Sequence, residues 1–579
     1  MITAENFDGD VQPPAKRPHT EPENEHFRVE DRVSTDADGV TRRQSVLVIL
    51  TCEGARAVRQ HILEEDDRVP PFWIPMAIVL HQLPRMRGRD YPEQTPALVR
   101  AIEPAYEGIR SQAAELRAHG RARYDLLWVL FPPDALVTWT DEFGDAACGR
   151  VVSAKYLSQR PPHFRLKVQV LGLAAACVTS AVHDLRVPEF DERPLCRMHC
   201  GLHLLEEADP LFGTLVARGK RWLSLATGVH VMTCAGALVS QGFFGDRAEC
   251  AKGRCVIDSR GYSDVVLYGR PAGVAAEVDT RAASVVATAP PRLPGYSLVL
   301  HEWGTMRVDD LASTVFNRAA LDELVLPAER KEAVRATVAS AAAIDVPDVI
   351  AGKGGGAVIL LYGPPGTGKT LTAEAVAEYL ERPLLFVRAA TLVGAEAGTK
   401  LGRFLALAHR WNGVVLVDEA DVLLMRRDAG ASTRNALVAD MLVALERHDG
   451  VVILTTNRVG DFDPAVASRI NFGLKYDPLD PRSRCAVWAV QLRKAAAAVR
   501  FADGRAVVDL DADGVQAWAA ALAHHAINGR VIRTAIKIAC STAWHRTQPL
   551  TLDTLRKVVE QQVAFQADVA SVDGHATYE

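Results

Sequence analysis

The run Gly363-Pro-Pro-Gly-Thr-Gly-Lys-Thr370 sets three glycines, a lysine and a threonine at fixed spacing. Glycines at 363, 366 and 368 let backbone amides converge on phosphate oxygens without an intervening side chain, and a helix N-terminus just beyond adds unsatisfied donors. In such a loop Lys369 reaches the outer phosphates and Thr370 ligates magnesium, while Gly363, Pro364, Pro365, Gly366, Thr367, Gly368 and Leu371 complete the lining. Both flanks suit the role. Val358-Ile-Leu-Leu361 reads as a parallel strand covered on both faces, and Thr370 to Leu380 has helix formers with apolar residues at helical spacing.

About fifty residues on, Gly413-Val-Val-Leu-Val-Asp418-Glu419-Ala-Asp421 is an apolar strand ending in acids. Ligands of a parallel α/β sheet bind beyond the carboxyl ends of its strands, so Asp418 arrives beside the phosphates to hold magnesium through water, and Glu419 orients the attacking water. Val451-Val-Ile-Leu-Thr-Thr-Asn457 is a further strand ending in a polar residue, and Asn457 is expected to position that water near the γ-phosphate. Arg469, after Phe462-Asp-Pro-Ala-Val-Ala-Ser468, is expected to project from the edge toward a neighbouring subunit's site. Arg530, in His525-Ala-Ile-Asn-Gly-Arg530, fits a second sensor on a helical lid. Asp348 and Ile350 lie just ahead of the first strand, where adenine contacts arise.

The rest of the 579 residues must position these groups, and they divide by texture. Residues 1–44 are rich in Glu, Asp, Pro and Thr and read as a disordered tail. Residues 45–123 read as a mixed α/β or helical segment, with a strand at Ser45–Thr51 and a helical pattern from Thr95 to His119. Strand-sized runs at 135–140, 150–154, 164–170, 221–225, 230–233 and 254–258 predict a β-rich central domain over 124–275. Pro290, Pro291 and Pro294 mark 276–300 as a linker. The nucleotide-binding core is expected over 301–481, a helical lid over 482–567 and a tail over 568–579.

Composition narrows the function classes. With 48% hydrophobic and 24% charged residues the chain is ordinary for globular proteins, and its formal net charge of -5 supplies no electrostatic argument for nucleic acid. Arg218-Gly-Lys-Arg221 beside Trp222 reads as a solvated turn rather than a nucleic-acid patch. The longest apolar stretch, Val168 to Val182, is too short and too interrupted to span a membrane, and the acidic N-terminus lacks a signal pattern, so an intracellular, soluble protein is expected, cytoplasmic or nuclear. Ten cysteines are too dilute for a disulfide framework. Cys196, Cys200, His203, Cys250 and Cys255 match no common zinc spacing.

In its motifs the chain resembles the AAA+ ATPases, specifically the set common in fungi with a central domain of unknown function before one ATPase module. Ile350-Ala-Gly-Lys-Gly-Gly-Gly, Val417-Asp-Glu-Ala-Asp421, Arg434-Asn-Ala-Leu-Val, Leu454-Thr-Thr-Asn-Arg-Val and Asn528-Gly-Arg530 carry the likeness in the module. Leu127-Trp-Val-Leu-Phe131, Arg186-Val-Pro-Glu-Phe190 and Val256-Ile-Asp258 carry it upstream. The resemblance implies a multidomain protein with a C-terminal αβα P-loop core and helical lid, preceded by a β-rich domain and a disordered tail. It also implies ATP and Mg2+ as cofactors and assembly into a homo-oligomeric ring, a hexamer being one such ring.

One departure matters. Remodelling members carry an aromatic-aliphatic-glycine loop after the second strand that grips polypeptide in the pore, whereas the matching stretch here, Thr391-Leu392-Val393-Gly394, has no aromatic. The expected function is Mg-dependent ATP hydrolysis coupled to remodelling of an unidentified protein client. The alternative is a slow-turnover, nucleotide-controlled assembly scaffold. A DNA machine is disfavoured by the charge balance and the lack of a DNA-binding motif.

Overall fold

The computed structural model describes residues 27–35, 41–49, 73–75 and 95–575, the last span broken at 158–162, 175–176, 195–197, 243–244, 267–277, 344–355, 393–396, 422–442, 444, 446–447 and 459–463. The chain divides into two units, one comprising residues 1–172, 180–219 and 278–290, the other 173–179, 220–277 and 291–579.

In the first unit β1 (Phe27–Thr35) pairs antiparallel with β2 (Thr41–Ile49), which pairs with β3 (Trp73–Pro75). Residues 27–35 and 41–44 of the expected tail are therefore strand. The alternation of Phe27, Val29 and Val33 is a strand pattern hidden in a polar composition, and Phe27 and Val29 fall in register with Ile49 and Leu47. Helix α1 (Thr95–Ala118) occupies the segment whose pattern predicts a helix. The short strands β4 (Arg121–Arg123) and β9 (Glu192–Pro194) pair, and α2 (Leu127–Leu130) follows β4.

The unit's main sheet has the order β10-β5-β6-β7-β8, from β5 (Leu136–Thr140), β6 (Ala146–Leu157), β7 (His163–Ala174), β8 (Cys177–Pro188) and β10 (His203–Leu204). Phe164, Leu166 and Val168 alternate along β7 and are wholly buried with Leu127, Phe131 and Val137, as a strand with one covered face requires. The described residues of the apolar stretch 168–182 thus lie in strands β7 and β8. No helix among the described residues is long and apolar enough to cross a membrane.

Residues 221–225, expected as a strand, lie instead in helix α3 (Pro210–Ala226). Its buried residues Phe212, Leu215, Arg218, Trp222 and Leu225 recur every three or four positions, so the longer helical period overrides the local β preference. Arg218 is no solvated turn residue: it is buried and donates through Nη1 to the Ala146 carbonyl at 2.7 Å.

A seven-stranded antiparallel sheet opens the second unit, in the order β13-β12-β16-β15-β14-β11-β17. Its strands are β11 (His230–Cys234), β12 (Ala237–Gly242), β13 (Gly245–Cys250), β14 (Gly253–Ile257), β15 (Arg292–Ser297), β16 (Glu302–Arg307) and β17 (Leu311–Ser313). Two expected boundaries fail here. The linker over 276–300 contains α5 (Ala283–Val286) and the interior strand β15, whose Leu293 and Tyr296 are buried. Its prolines disguise it, while Gly295 passes so close to β14 that a Cβ would sit 2.8 Å from the Val256 carbonyl oxygen. Likewise β16 and β17, expected in the nucleotide-binding core, complete this sheet.

The core begins with α6 (Ala328–Ala343). Five strands, β18 (Ala357–Tyr362), β19 (Leu384–Arg388), β20 (Val414–Asp418), β21 (Val451–Thr456) and β22 (Phe472–Lys475), form a sheet of order β19-β20-β21-β18-β22 in which every neighbouring pair is parallel. Alternate residues cover opposite faces. Ile359, Leu361, Leu416 and Ile453 pack with Val334 and Val338 of α6 and Ala373 and Val376 of α7 (Lys369–Tyr379). Val358, Leu360, Val415 and Leu454 pack with Leu401, Leu405 and Trp411 of α8 (Ala397–Trp411), and the same cluster includes Val256 and Tyr296 from the seven-stranded sheet. The two sheets therefore share a hydrophobic core.

Residues 464–467 form the short helix α9, and the lid then follows as α10 (Pro481–Ala498), α11 (Ala512–Leu522), α12 (Gly529–His545) and α13 (Leu552–His575). Asp480, Asp511 and Asn528 cap the first three by accepting from Ser483, Gly514 and Val531 amides. Their core holds Trp488, Leu492, Leu522, Ile532 and Leu555. The last helix runs to His575, so the tail expected over 568–579 is helical for most of its length.

Candidate functional site

Strand β18 delivers the glycine-rich loop and α7 carries it away. Gly363, Gly366 and Gly368 have φ of 139°, 75° and 106°, backbone that side chains rarely adopt. At two of them space is also closed: a Cβ on Gly363 would lie 2.2 Å from the Tyr476 carbonyl oxygen, and one on Gly366 would lie 2.5 Å from Asn528 Cγ. The loop is thus fitted between the end of β22 and the start of α12. Gly529 N donates to the Gly366 carbonyl at 2.9 Å, a direct tie from lid to loop.

The loop opens on a cavity of about 460 Å³. Of the residues singled out in the sequence, Pro365, Gly366, Thr367, Gly368, Lys369, Thr370, Leu371, Asp418, Glu419, Asn457 and Arg530 line it together. Gly363 and Pro364 stand behind, their carbonyls accepting from Lys369 Nζ at 2.7 Å each. Burial holds the Lys369 ammonium below its ordinary pKa, with Arg530 acting the same way and Asp418 and Asp421 opposing. Thr370 Oγ1 donates to Asp418 Oδ1 at 3.3 Å, and Asp418 also accepts from Thr455. Two hard oxygen donors from β20 and α7 are therefore adjacent, a donor set that suits magnesium with several waters retained. Glu419 is exposed, in the left-handed region at φ 54°, its amide donating to Thr455 Oγ1 at 3.2 Å.

Arg469 is not among the described residues that line this cavity. It follows α9, is half-buried, and donates through Nη1 to Ser468 Oγ at 2.9 Å. Asp348 and Ile350 lie outside the described residues. Leu392 is 1% exposed and belongs to the core beneath α8, so as placed it cannot project to grip a chain. Cys196 is also outside the described residues. Cys255 is buried, and among the described residues no group of three or more His, Cys, Asp or Glu is arranged to hold a metal ion.

The structure adds residues that sequence reasoning missed. Leu324, Val325 and Leu326, from the segment before α6, and Val487 and Val490 of α10 form an apolar wall with Tyr476 and Leu479, and Gln491 of α10 lines the cavity beside them. Tyr476 is anchored by its hydroxyl, 2.5 Å from Thr372 Oγ1, and burial pushes its pKa up to about 12. Glu374 and Arg533 also face the cavity; burial raises the Glu374 pKa, while the Arg533 charge works against that rise. Helical spacing gives a signal for Arg533, one turn beyond Arg530. The apolar wall has none in a local motif.

Two family models match the chain: the ATPase family associated with various cellular activities (AAA) over residues 359–477, and a domain of unknown function (DUF7025) over residues 112–194. Similar curated proteins include the ATP-dependent zinc metalloprotease FtsH 1 of Symbiobacterium thermophilum, 36% identical over 24% of this chain and 25% of its own. They include the 26S proteasome regulatory subunit 8 homolog of Encephalitozoon cuniculi, 32% identical over 24% of this chain and 38% of its own. A third is the ATPase family AAA domain-containing protein FIGL1 of Arabidopsis thaliana, 33% identical over 25% of this chain and 23% of its own. The chain thus spans between about a quarter and two-fifths of these relatives. With the parallel sheet, the glycine loop and the two acids in the places described, the matches give residues 359–477 as an AAA ATPase domain, with a DUF7025 domain before it over residues 112–194.

Proposed function

We propose that this cavity binds ATP with Mg2+ and hydrolyses it, and that the cycle remodels a macromolecular partner. The observation that carries the reading is the contact of Thr370 with Asp418 at 3.3 Å, at the mouth of a loop in which Gly363 and Gly366 leave no room for side chains. Thr370 and Asp418 would hold the ion, which when bound neutralises charge on the phosphate oxygens. Lys369, with both present partners being loop carbonyls, would exchange them for the outer phosphates. Glu419 would take up the proton of the attacking water and Asn457 would orient that water. Arg530, from α12, would couple lid position to the γ-phosphate, and the wall of Leu324, Leu326, Val487 and Val490 would receive the base.

Arg469 supports a site shared between subunits. It stands apart from its own chain's cavity on the segment after α9, which suits presentation to the next copy in a homo-oligomeric ring such as a hexamer. The burial of Leu392 favours a second reading of the output: a nucleotide-controlled scaffold with slow turnover, in which no polypeptide is threaded.

Phosphate release and sedimentation, measured on the same preparation with ATP and Mg2+, separate the two. A remodeller turns over ATP in assembled form and is stimulated by its client. A scaffold assembles with ATP and releases almost no phosphate under any condition. Absence of nucleotide binding would contradict both.

A further inference from the structure

A second, larger cavity of about 1000 Å³ lies between the seven-stranded sheet and α8. Phe386 lines both cavities, but none of the residues assigned to the nucleotide lines this one. Its floor is aromatic. Tyr296, Trp303 and Trp411 pack mutually with ring centroids 5.3 to 5.7 Å apart, and Trp303 forms part of the lining. Val265 and Val299, each 51% exposed, stand at its rim.

One side is a stripe of α8. Lys400, Arg403, Leu407 and Arg410 follow at intervals of three, four and three, which puts them on one helix face over about 15 Å. Arg410 is already engaged by Asp258 and Asp264. Arg388, at the end of β19, and Lys400 and Arg403 are exposed, and among the described residues no carboxylate lies within ion-pair distance of them. Three cations therefore border an apolar trough in a chain whose formal net charge is -5. The Arg388 charge adds to burial in holding the nearby His301 below its ordinary pKa, another mark of positive potential there.

We propose that this trough docks an acidic segment of a partner polypeptide, one apolar side chain seated against Trp303 and Leu407 and flanking carboxylates paired with Arg388, Lys400 and Arg403. An extended chain rises about 3.3 Å per residue, so the stripe spans four to five residues, enough for one anchor with acids on both sides. Charge complementarity fixes the sign of the ligand, and the apolar floor fixes the need for an anchor. Nucleic acid fits less well, because Tyr296, Trp303 and Trp411 are packed edge to face or tilted on one another rather than presented as parallel stacking platforms.

The test is fluorescence anisotropy of the full chain with a short fluorescein-labelled peptide carrying one leucine between runs of glutamate. Saturable binding is expected, weakened about tenfold both by the double substitution Lys400→Glu, Arg403→Glu and by replacing the peptide's leucine with serine. These helix-surface substitutions should leave the melting temperature and basal ATP hydrolysis unchanged. Val299→Ser gives an independent variant on the opposite rim and should weaken binding in the same direction. The proposal is overturned if the peptide does not saturate, if the variants bind it as the parent does, or if labelled oligothymidylate binds more tightly than the peptide. It is equally overturned if deleting residues 1–26 raises the peptide affinity, which would make the chain's own acidic start the occupant, or if the substitutions change oligomeric state instead of peptide binding.

Discussion

Asp258, wholly buried where α4 (Ser259–Val265) begins, accepts from Arg410 Nη2 at 2.9 Å, and its second oxygen accepts from Trp411 Nε1 at 2.9 Å. It also caps α4 through the Gly261 amide. Arg410 Nε lies 2.6 Å from the same carboxylate as a charge contact rather than an aligned hydrogen bond. A second tie joins Arg254 of β14 to Glu378 of α7 at 2.6 Å. The seven-stranded sheet is thus tied through Arg254 to α7, the helix that carries the nucleotide loop away, and the residue that follows β14 is tied to α8. Any movement of α7 and α8 during the cycle must be carried into that sheet.

Arg410→Ala should therefore cost stability well beyond an exposed ion pair, about 3 kcal/mol, because it leaves a buried carboxylate short of its charge partner. Trp411→Phe, which removes one donor and keeps most of the packing, should cost about 1–3 kcal/mol. Denaturant melts of the two variants and their double combination check this. The double should lose less than the sum, since both act on one carboxylate.

Leu392→Ala should destabilise the core by roughly 2–5 kcal/mol, as expected for truncating a buried leucine. Its exposed neighbour Thr391→Ala should change little. If both variants melt with the parent and only client processing suffers, Leu392 is a grip rather than a core residue.

His448 is buried ahead of β21, its Nε2 without a hydrogen-bond partner among the described residues, and burial lowers its pKa, helped by His409 and opposed by Asp449. The unfolded chain then takes up this proton more readily than the folded one, so the contribution is complete above the unfolded value near 6.5 and is lost as pH falls below it toward the folded pKa. Melting temperature should fall between pH 7.5 and 5.5. In His448→Asn that slope should be shallower, and an unchanged slope would remove His448 from the account.

Arg469→Ala should lower turnover by roughly 10³-fold or more if the guanidinium acts on a neighbouring subunit's γ-phosphate, whereas a surface ion pair contributes only about 0–1 kcal/mol. Mixing Arg469→Ala with Glu419→Gln should restore activity at interfaces that pair an intact arginine with an intact glutamate. Full activity of Arg469→Ala alone, or of a monomer, rules the assignment out.

That the nucleotide loop, Asp418, Glu419 and Asn457 converge on one cavity was legible because each is a short local pattern at a strand end, and the fold requires those ends to meet. Arg530 needed only its place in the series. The wall of Leu324, Leu326, Val487 and Val490 was not legible, since it is assembled from segments more than 150 residues apart that share no spacing. Domain edges failed for a different reason. Composition marks Pro290, Pro291 and Pro294 as a linker, yet the burial of Leu293 and Tyr296 makes β15 an interior strand, and nothing local reveals that partners wait on both sides.

The central claim is that Glu419 drives hydrolysis in a cavity whose affinity for ATP comes from the loop. Paired measurement of nucleotide binding and steady-state phosphate release on Glu419→Gln tests it most directly, with Lys369→Ala beside it. Glu419→Gln should bind Mg-ATP within about threefold of the parent while its phosphate release falls by about 10² or more, and Lys369→Ala should lose binding itself. Unchanged phosphate release in Glu419→Gln, with binding intact, would contradict the account.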